Sequence, residues 1–103
     1  MRYLVGRGWR VVGRNVRCGR VGEIDIVAER DGVLAFVEVK TRRSLAFGRP
    51  GEAVTARKRA RIRALARQYL MEAALRPSVI RFDVVEIVVG PRGSLVTHLE
   101  GAF

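Results

Sequence analysis

The sequence predicts an α/β domain built on one mixed β-sheet, and three observations lead there. Two alternating apolar segments flank an Asp31-Gly32 turn. One long segment with helical apolar spacing follows them. A last alternating pair surrounds Gly90-Pro91-Arg92-Gly93 and ends the chain. Strands, a helix and strands again are the order in which a helix covers a sheet that contains a parallel pair. The 103 residues fit a single domain, 1–103.

Met1 to Val5 reads as the last turn of a helix, closed at Gly6 or Gly8 in a left-handed cap. Trp9 to Arg17 is strand-like, with a bulge expected at Gly13, and Cys18 to Gly22 reads as a turn. Glu23 to Glu29 alternates, which places Ile24, Ile26 and Ala28 on one face and Glu23, Asp25 and Val27 on the other. Val33 to Thr41 is the second arm of the hairpin. Ala35, Val37, Val39 and Thr41 share one of its faces; Leu34, Phe36, Glu38 and Lys40 share the opposite one. Residues 42–51 form a loop, and Thr55 caps a helix reaching about Ala74. Its buried stripe is Ile62, Leu65, Ala66, Tyr69, Leu70 and Ala73. Val79 to Val89 is a strand with Phe82, Val84 and Val88 as its core, and Ser94 to Leu99 is the last strand.

Charge narrows the function. Twenty basic residues stand against ten acidic ones, a formal net charge of +10. A domain so basic attracts polyanions, and nucleic acid is the leading partner, DNA ahead of RNA. An anionic membrane is not expected, because no segment joins a basic face to a large aromatic one. No apolar run approaches the ~20 residues of a membrane span. The lone Cys18 forms no internal disulfide and has no zinc-ligand companions, which suits a reducing compartment. With no signal-peptide core at the N-terminus, a cytoplasmic protein is expected.

The chemistry is expected at Asp25, Glu38 and Lys40. Glu38-Val39-Lys40 sends both charged side chains from one face of a strand, and the hairpin brings Asp25 into the same region. Two adjacent carboxylates repel unless a cation or proton lies between them. Mg²⁺ or Mn²⁺ suits such oxygen donors, and the Val39 carbonyl is a further ligand candidate. Lys40 would put a point charge near an attacked phosphate or the attacking water. Only two of the twenty cations are lysine, and one of them stands here. The same residues also fit a plain cross-strand salt bridge. Glu23, two positions before Asp25, suits a further ligand, a base or a solvated acid. Arg42, Arg43, Arg57, Lys58 and Arg61 are the phosphate-holding candidates. Asp83 fits a pair with Arg81 or Arg43, His98 a packed or surface residue more readily than a catalytic base, and Asn15 either the cleft or a turn.

Gly22-Glu23-Ile24-Asp25-Ile26-Val27-Ala28, Phe36-Val37-Glu38-Val39-Lys40-Thr41-Arg42 and Arg81-Phe82-Asp83-Val84-Val85-Glu86 resemble the bacterial YraN family. So do Glu52-Ala53-Val54-Thr55 with Lys58, and the closing His98-Leu99-Glu100-Gly101-Ala102-Phe103. The resemblance implies the restriction-endonuclease-like fold, a central mixed sheet flanked by helices, whose signature is PD-(D/E)xK. It implies similarity to archaeal Holliday-junction resolvases, metal ligands at Asp25 and Glu38, and a catalytic Lys40. It also implies a metal-dependent DNA endonuclease, or a binding module of the same fold without catalysis. Such proteins begin with a fuller helix that carries another acid, whereas the first acid here is Glu23. Either Glu23 replaces that acid or the metal set is incomplete. With that helix shortened, one side of the sheet is expected to lack cover, and a homodimer is expected to hide it.

Overall fold

The computed structural model describes residues 2–20, 22–43, 56–74 and 76–102. In chain order the elements are α1 (Arg2–Gly6), β1 (Arg10–Cys18), β2 (Gly22–Arg30), β3 (Val33–Arg42), α2 (Ala56–Ala73), β4 (Val79–Gly90) and β5 (Gly93–Leu99). The five strands form one sheet in sequential order, antiparallel at every step except the parallel pair β3 and β4. This is the α/β mixed sheet that the sequence predicts. The loop expected at 42–51 and the Thr55 cap lie largely outside the described residues. No helix among the described residues is long and apolar enough to cross a membrane.

Turn chemistry fixes the central hairpin. Asp31 (φ 49°) and Gly32 (φ 79°) both take positive φ, the two-residue turn whose twist matches paired strands. Arg30 therefore pairs with Val33. At the N-terminus Gly8 (φ 87°) follows α1, where the amides of Arg7 and Trp9 both donate to the Leu4 carbonyl.

Each face of the sheet has its own apolar cluster. On one, Ile62, Leu65 and Ala66 of α2 cover Cys18, Ile24, Val27, Leu34 and Phe36. On the other, Leu4 and Trp9 cover Ile26, Ala28, Ala35, Val37 and Val85. The expectation of an uncovered side is corrected here: Ala28, Ala35, Val37 and Val85 are all buried. Trp9 supplies that cover, with Arg30 and Arg81 stacked on its ring at 4.6 and 4.9 Å. Val11, Val39, Ile87 and Val96 on the same side are only partly buried. Ala73, expected in the α2 stripe, is exposed at the end of the helix.

A second correction concerns β2. Ile24 packs on the α2 side, whereas Ile26 and Ala28 pack on the α1 side. The cause is the rung shared with β1. Arg14 pairs with Ile26 and Val16 with Ile24, so Asn15 and Asp25 occupy the position between them. Asn15 has φ 48°, a left-handed residue inside a strand, and both strands change face there. Gly13 belongs to the same distortion: the register shifts between Val11 and Gly13, and a Cβ on Gly13 would meet Val16 Cγ2 at 2.6 Å.

Candidate functional site

Ladder pairing between β2 and β3 runs from Arg30–Val33 to Ile26–Val37. At the next position the Asp25 carboxylate enters the gap, and its Oδ2 accepts the Val39 backbone N–H at 2.8 Å. A side chain thus replaces the strand-to-strand bond and holds the fork between β2 and β3. The position follows from the change of face at Asn15, which turns Asp25 toward β3. Val39 contributes its amide here; the carbonyl expected as a metal ligand is a separate atom that this bond leaves untouched.

Glu38 and Lys40 leave β3 on the α2 side, in line with the buried Leu34 and Phe36. Glu23, Asp25, Glu38, Lys58 and Arg61 line one cleft of about 240 Å³, floored by Ile24, Val37, Ile62 and Leu65. That volume holds several waters at about 30 Å³ each. Lys58 and Arg61 come from the first turns of α2, three residues apart on one helix flank. Arg61 reaches the start of β2, where a Cβ on Gly22 (φ 147°) would stand 3.0 Å from its guanidinium. Glycine at 22 therefore permits both that backbone conformation and that placement.

The Lys40 Nζ is buried and has no hydrogen-bond partner among the described residues. Burial lowers its pKa from the ordinary lysine value; Glu38 pulls it back up, and Lys58 and Arg42 push it further down. In register Lys40 stands beside Glu86 of β4. That buried glutamate is held instead by Arg42, with Nε to Oε1 at 2.8 Å.

The other expected residues divide. Arg42 pairs with the buried Glu86, and its own side chain is half-buried. Arg43 is exposed, but it lines a different groove with the turn between β4 and β5. Arg57 is exposed on the first turn of α2, outside the cleft lining. Asp83 and His98 belong to one buried cluster: Asp83 accepts from Arg81 at 2.8 and 2.9 Å, from the Gly101 amide at 3.0 Å, and pairs with His98 Nε2 at 2.7 Å. The sequence reading missed Glu86, whose signal is a lone acid among the apolar β4 residues Val84, Val85, Ile87 and Val88.

Asp25 and Glu38 would offer a hard cation two carboxylates. Mg²⁺ and Mn²⁺ fit that donor type, since such ions keep several waters and need few protein ligands. The set is small: among the described residues no three or more His, Cys, Asp or Glu side chains gather as a metal cage.

Comparison with known proteins places these residues in a family. Residues 1–87 match the model of the uncharacterised protein family UPF0102, a span that includes the whole cleft. The chain belongs to the UPF0102 family. It is 53% identical over 97 residues to a UPF0102 protein of Symbiobacterium thermophilum, covering 94% of this chain and 81% of that one. It is 46% identical over 104 residues to a UPF0102 protein of Rhodococcus opacus, covering 99% and 86%. With a UPF0102 protein of Myxococcus xanthus the identity is 42% over 103 residues, covering 100% and 81%. The YraN-type resemblance read from the sequence is thus borne out, and this UPF0102 protein carries its charged cleft inside the family-matched region.

Proposed function

We propose that this UPF0102 protein binds nucleic acid and acts as a Mg²⁺- or Mn²⁺-dependent phosphodiesterase on DNA, branched DNA among its substrates, on a restriction-endonuclease-like fold. The observation that carries the reading is the cleft itself, in which Asp25 and Glu38 face the cations Lys58 and Arg61. A phosphodiester fits such a site: the cations neutralise its flanking charges, and the two carboxylates are the residues that would hold the metal. When bound, such an ion supplies positive charge to the phosphate under attack. Asp25 is aimed by the Val39 amide, and Glu38 is fixed on the strand. Lys40, on the same face of β3 as Glu38, would take a proton from the attacking water as the neutral amine, or give one to the leaving oxygen as the ammonium.

The small ligand set favours a second reading, a nucleic-acid-binding module of the same fold without catalysis. One assay separates the two. Labelled linear, flapped and branched DNA and RNA are incubated with Mg²⁺ or Mn²⁺, beside a Glu38→Ala control. Cleavage by the wild type alone establishes the enzyme; binding without cleavage establishes the module. Equal cleavage by Glu38→Ala would move the chemistry elsewhere.

A further inference from the structure

The Asp25 fork opens to both faces of the sheet. Besides the cleft under α2, Asp25 lines a groove on the other side, with Arg14 and Asn15 of β1 and with Ile26 and Val39. Ile26 and Val39 pack with the α1-side cluster, which places this groove on the face opposite Lys58 and Arg61. Arg14 and Asn15 are both exposed there.

Resting on the nucleic-acid reading above, we infer that Arg14 and Asn15 form a second phosphate-contacting wall. The bound strand then straddles the β2–β3 fork, gripped by Lys58 and Arg61 on one face and by Arg14 and Asn15 on the other.

Three features support this. Asn15 adopts φ 48° in the middle of a strand, a conformation costly for most residues and tolerated best by glycine, asparagine and aspartate. Backbone held in that region gathers at binding and catalytic sites. The distortion is built in twice, since Gly13 also leaves room that a Cβ would take from Val16. Its product is the turned Asp25 on one strand and an outward Arg14-Asn15 pair on the other, sharing one groove. The chemistry matches a phosphodiester: Arg14 offers a guanidinium and Asn15 a neutral amide donor, and both suit non-bridging phosphate oxygens.

Asparagine at 15 has a competing explanation, that it merely tolerates the backbone. Asn15→Gly separates the two, because glycine keeps the conformation and removes the amide. The test is fluorescence anisotropy of a short labelled DNA duplex titrated with the full chain in EDTA, across a salt series, with thermal melts alongside. Asn15→Gly is expected to melt as the wild type does and to bind about 3- to 10-fold more weakly, the loss of one neutral hydrogen bond, with an unchanged salt slope. Arg14→Ala is expected to reduce the slope of log K against log salt by about 0.9, one phosphate contact. Asn15→Asp also tolerates the left-handed backbone, and it should bind more weakly than Asn15→Gly because its carboxylate faces phosphate. Wild-type affinity in Asn15→Gly and an unchanged slope in Arg14→Ala would overturn the second wall. The cleft reading would then still stand if Lys58→Ala and Arg61→Ala weaken binding. A wild-type protein that binds no DNA overturns both.

Discussion

Asp25 Oδ2 accepts the Val39 backbone N–H at 2.8 Å, so a candidate metal ligand is also the clasp of the β2–β3 fork. Charge and clasp are separable by substitution. Asp25→Asn keeps a carbonyl oxygen that accepts the same N–H, and it should fold with a near-unchanged melting temperature. Mn²⁺ affinity, read by titration calorimetry, should fall at least about 10- to 100-fold, as it does when even a supporting group of a metal site is lost. Asp25→Ala leaves the Val39 amide without its acceptor and should cost about 1–3 kcal/mol of stability by denaturant unfolding. Unchanged Mn²⁺ affinity in Asp25→Asn would remove Asp25 from the ligand set.

Lys40 offers a test in which function and stability move in opposite directions. Its folded pKa is lowered, chiefly by burial, so the unfolded chain holds that proton more tightly. Stability should therefore rise with pH through the window between the lowered value and that of an ordinary lysine. Lys40→Met replaces the unpartnered ammonium with an apolar chain of similar length. It should raise the melting temperature at pH 7 by a few degrees, flatten that alkaline rise and abolish cleavage. A variant that melts below the wild type at pH 7 would mean that the ammonium is satisfied in solution.

The cations should prove unequal. If about five phosphates are neutralised, log K falls against log salt with a slope near −4 to −5. Lys58→Ala and Arg61→Ala should each reduce that slope by about one contact, since both line the cleft. Arg42→Ala should leave the slope alone and lower the melting temperature, because it strands the buried Glu86. Affinity indifferent to salt between about 50 and 300 mM would exclude nucleic acid as the partner.

Much of this arrangement is legible in the residues. Asp31-Gly32 demands positive φ at two positions and so locks the hairpin, and strand alternation then places Glu38 and Lys40 together. The helix is legible because Ile62, Leu65 and Ala66 repeat at its period. What alternation cannot reveal is a change of face. A single left-handed residue, Asn15, puts Ile24 and Ile26 on opposite sides and turns Asp25 into the fork. The Arg42–Glu86 pair is hidden for another reason: its register depends on how the α2 crossover sets β4 beside β3. Val85 escaped the expected core because β4 lies inside the sheet and is covered on both faces, which blurs the period of two.

Asp83 is fully buried. Burial by itself raises its pKa, but the bonds from Arg81, the Gly101 amide and His98 outweigh it and hold the carboxyl below the ordinary aspartate value. A lowered folded pKa contributes stability that is present above the unfolded value and lost as pH falls through the folded one. The wild type should therefore lose stability in the acid range at and below the ordinary aspartate value. Asp83→Asn should already be destabilised at pH 7 by about 1–3 kcal/mol, because Arg81 loses its close carboxylate partner and keeps only the longer pair with Glu100 at 3.4 Å. Its melting temperature should then change less across the acid range than that of the wild type. The Gly101 amide also donates to Asp83, so the residues after β5 should exchange amide hydrogens faster in the variant. DNA affinity should stay within about twofold of the wild type, since Asp83 sits on the face away from Lys58 and Arg61. An Asp83→Asn protein that matches the wild type in stability at pH 7 would show that this buried cluster does not anchor the C-terminal strand.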